Sequence, residues 1–189
     1  MAAVERAFEA ARARSARVVF PEKEEPRVAE ACSRMETEGL CKPIGLNEVT
    51  DAQIAALVAG RGVKEGVARR MLGRPLYRAA AMVAAGEADC MVAGADSPTR
   101  RVIEAASIGI GLADGVEAAS SFFLMVFPDG REMIWADCAV NVTPDARALA
   151  SIARASSASA MALLGRADIG QRVDEPAKQG SFCDHHRRA

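Results

Sequence analysis

The sequence is poor in aromatic residues, which make up 4% of its 189 positions, and its net charge is only −1. Surfaces that bind nucleic acid use aromatic rings to stack bases and a positive field to attract phosphates, so both values argue against such a surface. The longest apolar run, over residues 79–85, is far too short to cross a bilayer. The N-terminal stretch lacks the apolar core of a secretory signal, and its two glutamates disfavour an organellar transit peptide. We therefore expect a cytoplasmic protein without a membrane anchor.

Cysteine is also sparse, and the spacing of the five cysteines contains no CxxC pair. An odd number of well-separated cysteines is typical of free thiols in a reducing compartment rather than of a disulfide framework. Cys183, Asp184, His185 and His186 resemble metal ligands in type, but they lie in a stretch without periodicity, where a preformed site is rare. We expect neither a metal site nor a cofactor.

The apolar residues that are present follow helical and strand periods in alternation. Spacings of three and four residues predict helices, and short β-rich runs predict strands. Alternating strands and helices indicate an α/β fold with a mainly parallel sheet covered on both faces. Asp129-Gly130 between two apolar runs predicts one β-hairpin. The predicted helices are 2–14, 26–38, 51–59, 64–72, 75–85, 98–108 and 144–164, and the predicted strands are 16–20, 42–46, 90–95, 120–127 and 132–140.

Two helix starts carry hydroxyl residues suited to capping. Ser97 precedes Pro98, and Thr143 precedes Pro144, so each hydroxyl can accept a hydrogen bond from a free N–H of the first turn. After Gly165 the sequence is polar and without periodicity. We expect one domain over residues 1–165 and a disordered tail over residues 166–189.

The stretch over residues 88–101, ADCMVAGADSPTRR, is the strongest candidate for a binding site. It predicts a buried strand, a Gly94-Ala95 turn and a helix start, whose backbone N–H groups form an anion site. Ser97 and Thr99 can donate hydrogen bonds, and Arg100 or Arg101 can grip phosphate oxygens through two bonds. The alternative is a capped surface helix with solvated arginines.

A second candidate follows the first predicted strand, in the run VVFPEKEEPR over residues 18–27. Glutamates suit a helix N-terminus electrostatically, but Arg27 does not unless it has a partner or a ligand. The alternative for Arg27 is a surface ion pair with a nearby glutamate.

Asp137 interrupts the apolar run over residues 132–140. A buried carboxylate needs a partner, so Asp137 either orients an arginine or accepts bonds from the backbone. The alternative to a functional role is a structural carboxylate at a strand end.

At these stretches the sequence resembles the phosphate acetyl/butyryl transferases, and most closely the phosphate acetyltransferases. The resemblance covers most of residues 16–165 and keeps the order and spacing of several long pieces. These pieces are VVFPEKEEPRVAEA, RPLYRAAAMVAAGEADCMVAGADSPTRRVIEAA, ASSFFLMVFPDG and MIWADCAVNVTPDARALASIARASSASAMALLG.

The resemblance implies a three-layer α/β/α fold with an active cleft between two subdomains. It implies the reaction of acetyl-CoA and phosphate to give acetyl phosphate and coenzyme A, by a homodimer without metal or cofactor. Arg27 matches an arginine implied to contact the phosphates of coenzyme A. The implied cleft residues are Gly94, Ser97, Thr99, Arg100 and Arg101.

The sequence departs from the family in three places. The stretch over residues 48–62 is shorter and lacks an arginine of the cleft. The position near Glu104 lacks another arginine, which Arg100 or Arg101 would have to replace. The family continues past Leu164 into a second α/β half that holds its catalytic serine, arginine and aspartate, so no general base is placed in this chain. We expect a fold truncated relative to the family, and the alternative to an active acyltransferase is an inactive remnant or an anion- or CoA-binding module.

Overall fold

The computed structural model describes residues 3–138 and 140–167, in which helices and strands alternate as expected for an α/β protein. A three-stranded parallel sheet and a separate antiparallel pair account for its strands. In this part of the chain no helix is both long enough and apolar enough to cross a membrane. The elements are α1 Ala3–Arg14, β1 Arg17–Val19, α2 Pro26–Thr37, β2 Lys42–Ile44, α3 Asp51–Arg61, α4 Glu65–Leu72, α5 Pro75–Ala84, β3 Cys90–Met91, α6 Thr99–Gly109, β4 Phe122–Val126, β5 Glu132–Ala136 and α7 Ala146–Leu164.

The parallel sheet has the order β2-β1-β3, so the first strand of the chain lies at its centre. Val19 pairs with Ile44 on one side and with Met91 on the other. Because successive side chains of a strand point to opposite faces, β1 contributes side chains to two separate apolar clusters, one on each face of the sheet. Val18 packs with Cys32 of α2, whereas Val19 packs with Met82 of α5. The predicted three-layer arrangement of helix, sheet and helix is confirmed.

The predicted strand over residues 90–95 was wrong in both length and burial. Strand β3 contains only Cys90 and Met91, and Cys90 is exposed. The reason is its position at the edge of the sheet, where within the described residues only β1 pairs with it. Val92 still donates its N–H to the carbonyl of Val19 at 3.1 Å, and the chain then leaves the sheet.

Helices α3, α4 and α5 form a further apolar cluster around Leu57 and Leu72, both fully buried. Helix α6 approaches α5 very closely, since a Cβ built on Gly109 would lie 2.4 Å from the Cβ of Ala80. This contact fixes α6, whose first turn follows the turn after β3.

The predicted hairpin is confirmed, with Phe123 of β4 opposite Trp135 of β5. The chain reverses through Gly130, which has a positive φ of 83°. Helix α7 packs against β5 and against α1.

Both predicted hydroxyl caps were wrong. Helix α6 starts after Pro98, which caps it without a side-chain bond. Ser97 instead lies in the turn before the helix and lines a cavity described below. Helix α7 is capped by Asp145, whose Oδ1 accepts the N–H of Ala148 at 2.7 Å. A carboxylate is the stronger acceptor beside the positive end of a helix, so Asp145 takes the position predicted for Thr143.

Candidate functional site

The turns that follow β1 and β3 lie side by side at one edge of the parallel sheet. The two strands are neighbours and run in the same direction, so their carboxyl ends meet there. In open α/β sheets this edge is where ligands bind. Residues 20–25 form the first turn and residues 92–98 form the second.

Glu22 of the first turn binds the backbone of the second. Its Oε2 accepts the N–H groups of Gly94 and Ala95 at 2.8 Å each, and its Oε1 accepts that of Asp96 at 3.3 Å. Gly94 has a φ of +116°, a conformation that favours glycine. Successive N–H groups pointing to one side form an anion-binding concavity. The donors lie in the turn before α6 rather than at the helix start predicted from the sequence, and a carboxylate of the same chain occupies them.

The environment of Glu22 favours its charged form. Partial burial raises the pKa of this carboxyl, but hydrogen bonds from Ser97, Gly94, Ala95 and Asp96 outweigh it, and the pKa lies below its ordinary value. Glu22 is thus an ionised acceptor at neutral pH.

Arg27, in the first turn of α2, has the ion pair weighed as the alternative from the sequence. Its Nε lies 2.6 Å from Oε1 of Glu25. It also donates from a terminal nitrogen to the carbonyl oxygen of Ala95 at 3.2 Å. Its side chain is 75% exposed, which leaves the guanidinium accessible to a ligand.

Two cavities adjoin these turns. The larger, of about 490 Å³, lies between the starts of α5 and α6 and is lined by Arg74, Pro75, Leu76, Tyr77, Ser97, Arg101 and Glu104. The smaller, of about 280 Å³, is lined by Phe20, Glu22, Arg27, Val28, Ala31, Met35, Val92, Ala93 and Ala95.

The larger cavity combines cationic, hydroxyl and carboxylate groups. The buried Tyr77 donates its hydroxyl to Oε1 of Glu104 at 3.0 Å. The guanidinium carbon of Arg74 lies 5.8 Å from the centroid of the Tyr77 ring. Burial, together with Glu104, raises the pKa of Tyr77, so its hydroxyl stays protonated. With Ser97 and Arg101 opposite, the cavity can bind an anion through two guanidiniums and a hydroxyl.

The structure brings together some of the predicted site residues and separates others. Ser97 and Arg101 share the larger cavity, and Arg27 lines the smaller one. Gly94 lies in the turn that borders both. Thr99 and Arg100 form the start of α6 and line neither of these two cavities.

Sequence analysis missed Glu22, Arg74 and Tyr77, and noted Glu104 only as a position without an arginine. Glu22 carried a weak signal, since it is the first carboxylate after the central strand. Arg74 and Tyr77 flank the start of α5 and gave no pattern that separates them from ordinary surface and core residues.

Asp137 has the structural role weighed as the alternative from the sequence. It follows the last residue of β5 and accepts hydrogen bonds from the N–H and hydroxyl of Ser121, at 2.9 and 2.7 Å. It also accepts the N–H and side-chain amide of Asn141, each at 2.7 Å. Burial raises the pKa of Asp137, but these bonds hold it well below the ordinary range. The carboxylate joins the two ends of the hairpin.

The described cysteines, Cys32, Cys41, Cys90 and Cys138, are free thiols, as predicted. Among the described residues, no three His, Cys, Asp or Glu side chains are grouped as metal ligands. The candidates Cys183, Asp184, His185 and His186 lie outside those residues, as does most of the predicted tail, and the prediction for residues 168–189 stays a prediction.

Comparisons with known proteins point to one family. The family model described as phosphate acetyl/butaryl transferase matches residues 46–168. The phosphate acetyltransferase of Paracoccus denitrificans is 35% identical over 187 residues, which cover 87% of this chain and 59% of the relative. The phosphate acetyltransferase of Acetivibrio thermocellus is 28% identical over 198 residues, which cover 87% of this chain and 60% of the relative.

Solved structures agree with this similarity. The EutD phosphotransacetylase from Staphylococcus aureus superposes with a TM-score of 0.74 and is 25% identical. A phosphotransacetylase from Streptococcus pyogenes has the same TM-score and is 26% identical. Each superposition covers 84% of this chain but 57% of the solved chain, so this chain spans less than two thirds of these relatives.

Proposed function

Because the chain belongs to the phosphate acetyl/butyryl transferase family, we propose that it transfers an acetyl group between coenzyme A and phosphate. The reaction is acetyl-CoA plus phosphate giving acetyl phosphate plus coenzyme A. We place the acyl phosphate in the larger cavity. The observation that supports this choice is that Arg74, Arg101 and Ser97 line one cavity of about 490 Å³ at the ligand-binding edge of the sheet.

The two arginines of this cavity are available for a ligand. Among the described residues, neither Arg74 nor Arg101 lies within ion-pair distance of a carboxylate. A guanidinium binds phosphate oxygens through two parallel bonds, and cations beside the transferring group stabilise charge that develops in the transition state. We assign phosphate binding to Arg74 and Arg101, and hydrogen bonding to the acyl phosphate to Ser97.

Coenzyme A is the second substrate, and Arg27 is our candidate for its phosphates. The exposed guanidinium of Arg27 borders the smaller cavity. The apolar side chains of Phe20, Val28 and Met35 line the same cavity. This combination suits a phosphate next to a less polar group. We further propose, from the family, a cytoplasmic homodimer active in acetate metabolism that uses neither metal nor cofactor.

Acetyl phosphate formation by the purified chain tests this function. We expect Arg101→Ala to lower kcat/KM by about 100-fold, the effect typical of removing one group that stabilises developing charge. Arg34→Ala is the matched control, because Arg34 is an exposed arginine on α2 that pairs with Glu38 away from both cavities. Equal activity in Arg101→Ala and the wild type would contradict the assignment of this cavity.

The variant Arg27→Ala tests the binding of coenzyme A separately from the binding of the acyl phosphate. If Arg27 binds the coenzyme A moiety, its loss raises KM for acetyl-CoA and leaves kcat nearly unchanged, because an interaction made equally in the ground state and in the transition state is removed. A fall in kcat with unchanged KM would contradict this role.

A second candidate is a module that binds coenzyme A or an anion without turnover. Two carboxylates favour it, because Glu22 already fills the donors of Gly94, Ala95 and Asp96, and Glu104 lines the same cavity as the two arginines. Calorimetric binding of coenzyme A by a folded chain that forms no acetyl phosphate would support this candidate. Absence of both binding and turnover would contradict both candidates.

A further inference from the structure

The turn over residues 94–96 is fixed by a residue from another part of the chain. Glu22 accepts three consecutive backbone N–H groups of this turn. Arg27 adds a bond to the carbonyl oxygen of Ala95 from the same side. Glu22 of the β1–α2 connection and Arg27 of the first turn of α2 thus bind the β3–α6 turn, whereas β3 itself supplies only two residues of pairing.

The cavity residues follow this turn directly. Ser97 is next to Asp96, and Arg101 donates its N–H to the carbonyl of Pro98 at 2.8 Å in the first turn of α6. The direction in which Ser97 and Arg101 point therefore depends on the conformation of residues 94–96. We infer that Glu22 is a positioning residue, whose carboxylate holds this turn and thereby aims Ser97 and Arg101 into the larger cavity.

This inference rests on the proposed function where it names the ligand of Ser97 and Arg101. The bonds by which Glu22 holds the turn do not depend on that function. An ionised carboxylate offers acceptors and no donor, and three backbone N–H donors converge on it here. In Glu22→Gln one oxygen becomes an NH₂ group, which cannot accept from an N–H, although size and shape are kept. Bonds to the remaining neutral oxygen are also weaker than bonds to a charged one.

The same connection offers a matched control. Glu24 lies two residues further on, is exposed, and its side chain makes no hydrogen bond or ion pair with the described residues. Glu24→Gln removes the same charge from the same turn without touching residues 94–96. Any difference between the two variants therefore reports the bonds of Glu22.

The experiment combines amide hydrogen exchange at Gly94, Ala95 and Asp96 with calorimetric titration of inorganic phosphate and of coenzyme A. In Glu22→Gln we expect these amides to exchange roughly tenfold faster or more, because local opening is easier once their acceptor is weakened. We expect phosphate affinity to fall by roughly fivefold or more, and Glu24→Gln to match the wild type in both measurements. Glu22→Asp keeps the charge on a shorter side chain and should lie between the wild type and Glu22→Gln.

Three results would overturn the inference. The first is unchanged exchange in Glu22→Gln. The second is faster exchange with unchanged phosphate affinity, which would leave Glu22 a purely structural group. The third is tighter phosphate binding, which would make Glu22 a competitor for the site. If Glu22→Gln does not fold, the same outcomes are read from Glu22→Asp. A wild type that binds neither phosphate nor coenzyme A, yet shows exchange dependent on Glu22, would instead contradict the proposed function.

Discussion

Among single residues, Asp89 and Arg17 join the central strand to its short neighbour. Asp89 accepts the backbone N–H of Arg17 at 2.7 Å, and its other oxygen lies 2.9 Å from the guanidinium. The Asp89 N–H in turn donates to the carbonyl of Arg17 at 2.8 Å. The guanidinium and N–H of Arg17 lower the pKa of Asp89 to about 2.

This lowered pKa predicts how the stabilisation of the fold by Asp89 and Arg17 depends on pH. A carboxyl with a lower pKa in the folded state stabilises the fold above its unfolded pKa of about 3.9, and its contribution is lost as pH falls through about 2. We expect Asp89→Asn to be less stable than the wild type at pH 7 and at pH 5. The difference in the free energy of unfolding should shrink between pH 4 and pH 2. Urea unfolding at these pH values measures it.

Asp114→Asn is the control for this series, because Asp114 is exposed and its side chain has no hydrogen bond or ion pair within the described residues. Its effect should be small at every pH. A difference between wild type and Asp89→Asn that stays constant down to pH 2 would contradict the proposed linkage.

The candidate site shows which residues a sequence can reveal. Ser97 and Arg101 follow a Gly-Ala turn after an apolar run, so local chemistry marked them as candidates beside the alternative of a capped surface helix. Glu22 was missed because its partners lie 72–74 positions away, and only the packing of β1 beside β3 brings them together. The contact between Glu104 and Tyr77 was not predicted for a similar reason, since the two residues belong to different helices.

Among the contacts between helices and strands, the one between α5 and α6 determines the position of α6. Gly109 faces Ala80, and a methyl group on Gly109 would come within 3.2 Å of the Ala80 carbonyl carbon as well as its Cβ. Both residues are buried. Separation of the two helices would move the first turn of α6 and the cavity that it lines.

We expect Gly109→Ala to destabilise the protein by about 1–3 kcal/mol, because the added methyl group overpacks a filled interface. The control is Gly60→Ala in α3, where nothing lies within 4 Å of the added Cβ. Since alanine favours a helix over glycine by up to about 1 kcal/mol, this control should be neutral or stabilising. Thermal unfolding of both variants measures the contrast, and equal effects would refute the steric explanation.

Most elements could be predicted because their signals are local. Pro26 and Pro75 open helices, and Gly130 turns the hairpin, all at the expected places. The prediction failed for β3 because burial depends on which strands lie beside it, and a sequence does not state strand order. It failed for the cap of α7 because both Thr143 and Asp145 satisfy the capping pattern, and only the geometry selects Asp145.

In the molecule as a whole, the hairpin formed by β4 and β5 exposes several large apolar side chains. Phe123 and Trp135 face each other across β4 and β5 and are 61% and 52% exposed. Phe122 and Val126 on the same strand are 43% and 51% exposed. Phe122 and Val126 lie on the opposite face of the hairpin from Phe123 and Trp135, so both faces expose apolar side chains. Exposed apolar surface of this kind marks an interaction site or promotes aggregation.

We therefore expect the chain to self-associate with increasing concentration, and Phe123→Lys combined with Trp135→Lys to suppress this association. Sedimentation velocity over a range of concentrations measures the effect. Phe8→Lys on α1 is the control, since Phe8 is also 43% exposed but lies on a different element. A wild type that stays monomeric, with a sharp melting transition independent of concentration, would contradict the prediction.

The bond between Glu22 and the turn over residues 94–96 also has a consequence for the timing of synthesis. Glu22 precedes Gly94 by 72 residues. At ~5–20 residues per second, the ribosome needs about 4–14 seconds to supply this partner. During that interval the carboxylate and the β3 side of strand β1 have no native partner in the nascent chain. The contact between Glu22 and residues 94–96 consequently forms only after α2 to α5 have been synthesised, and a chain halted before residue 94 leaves β1 open to pairing with other polypeptides.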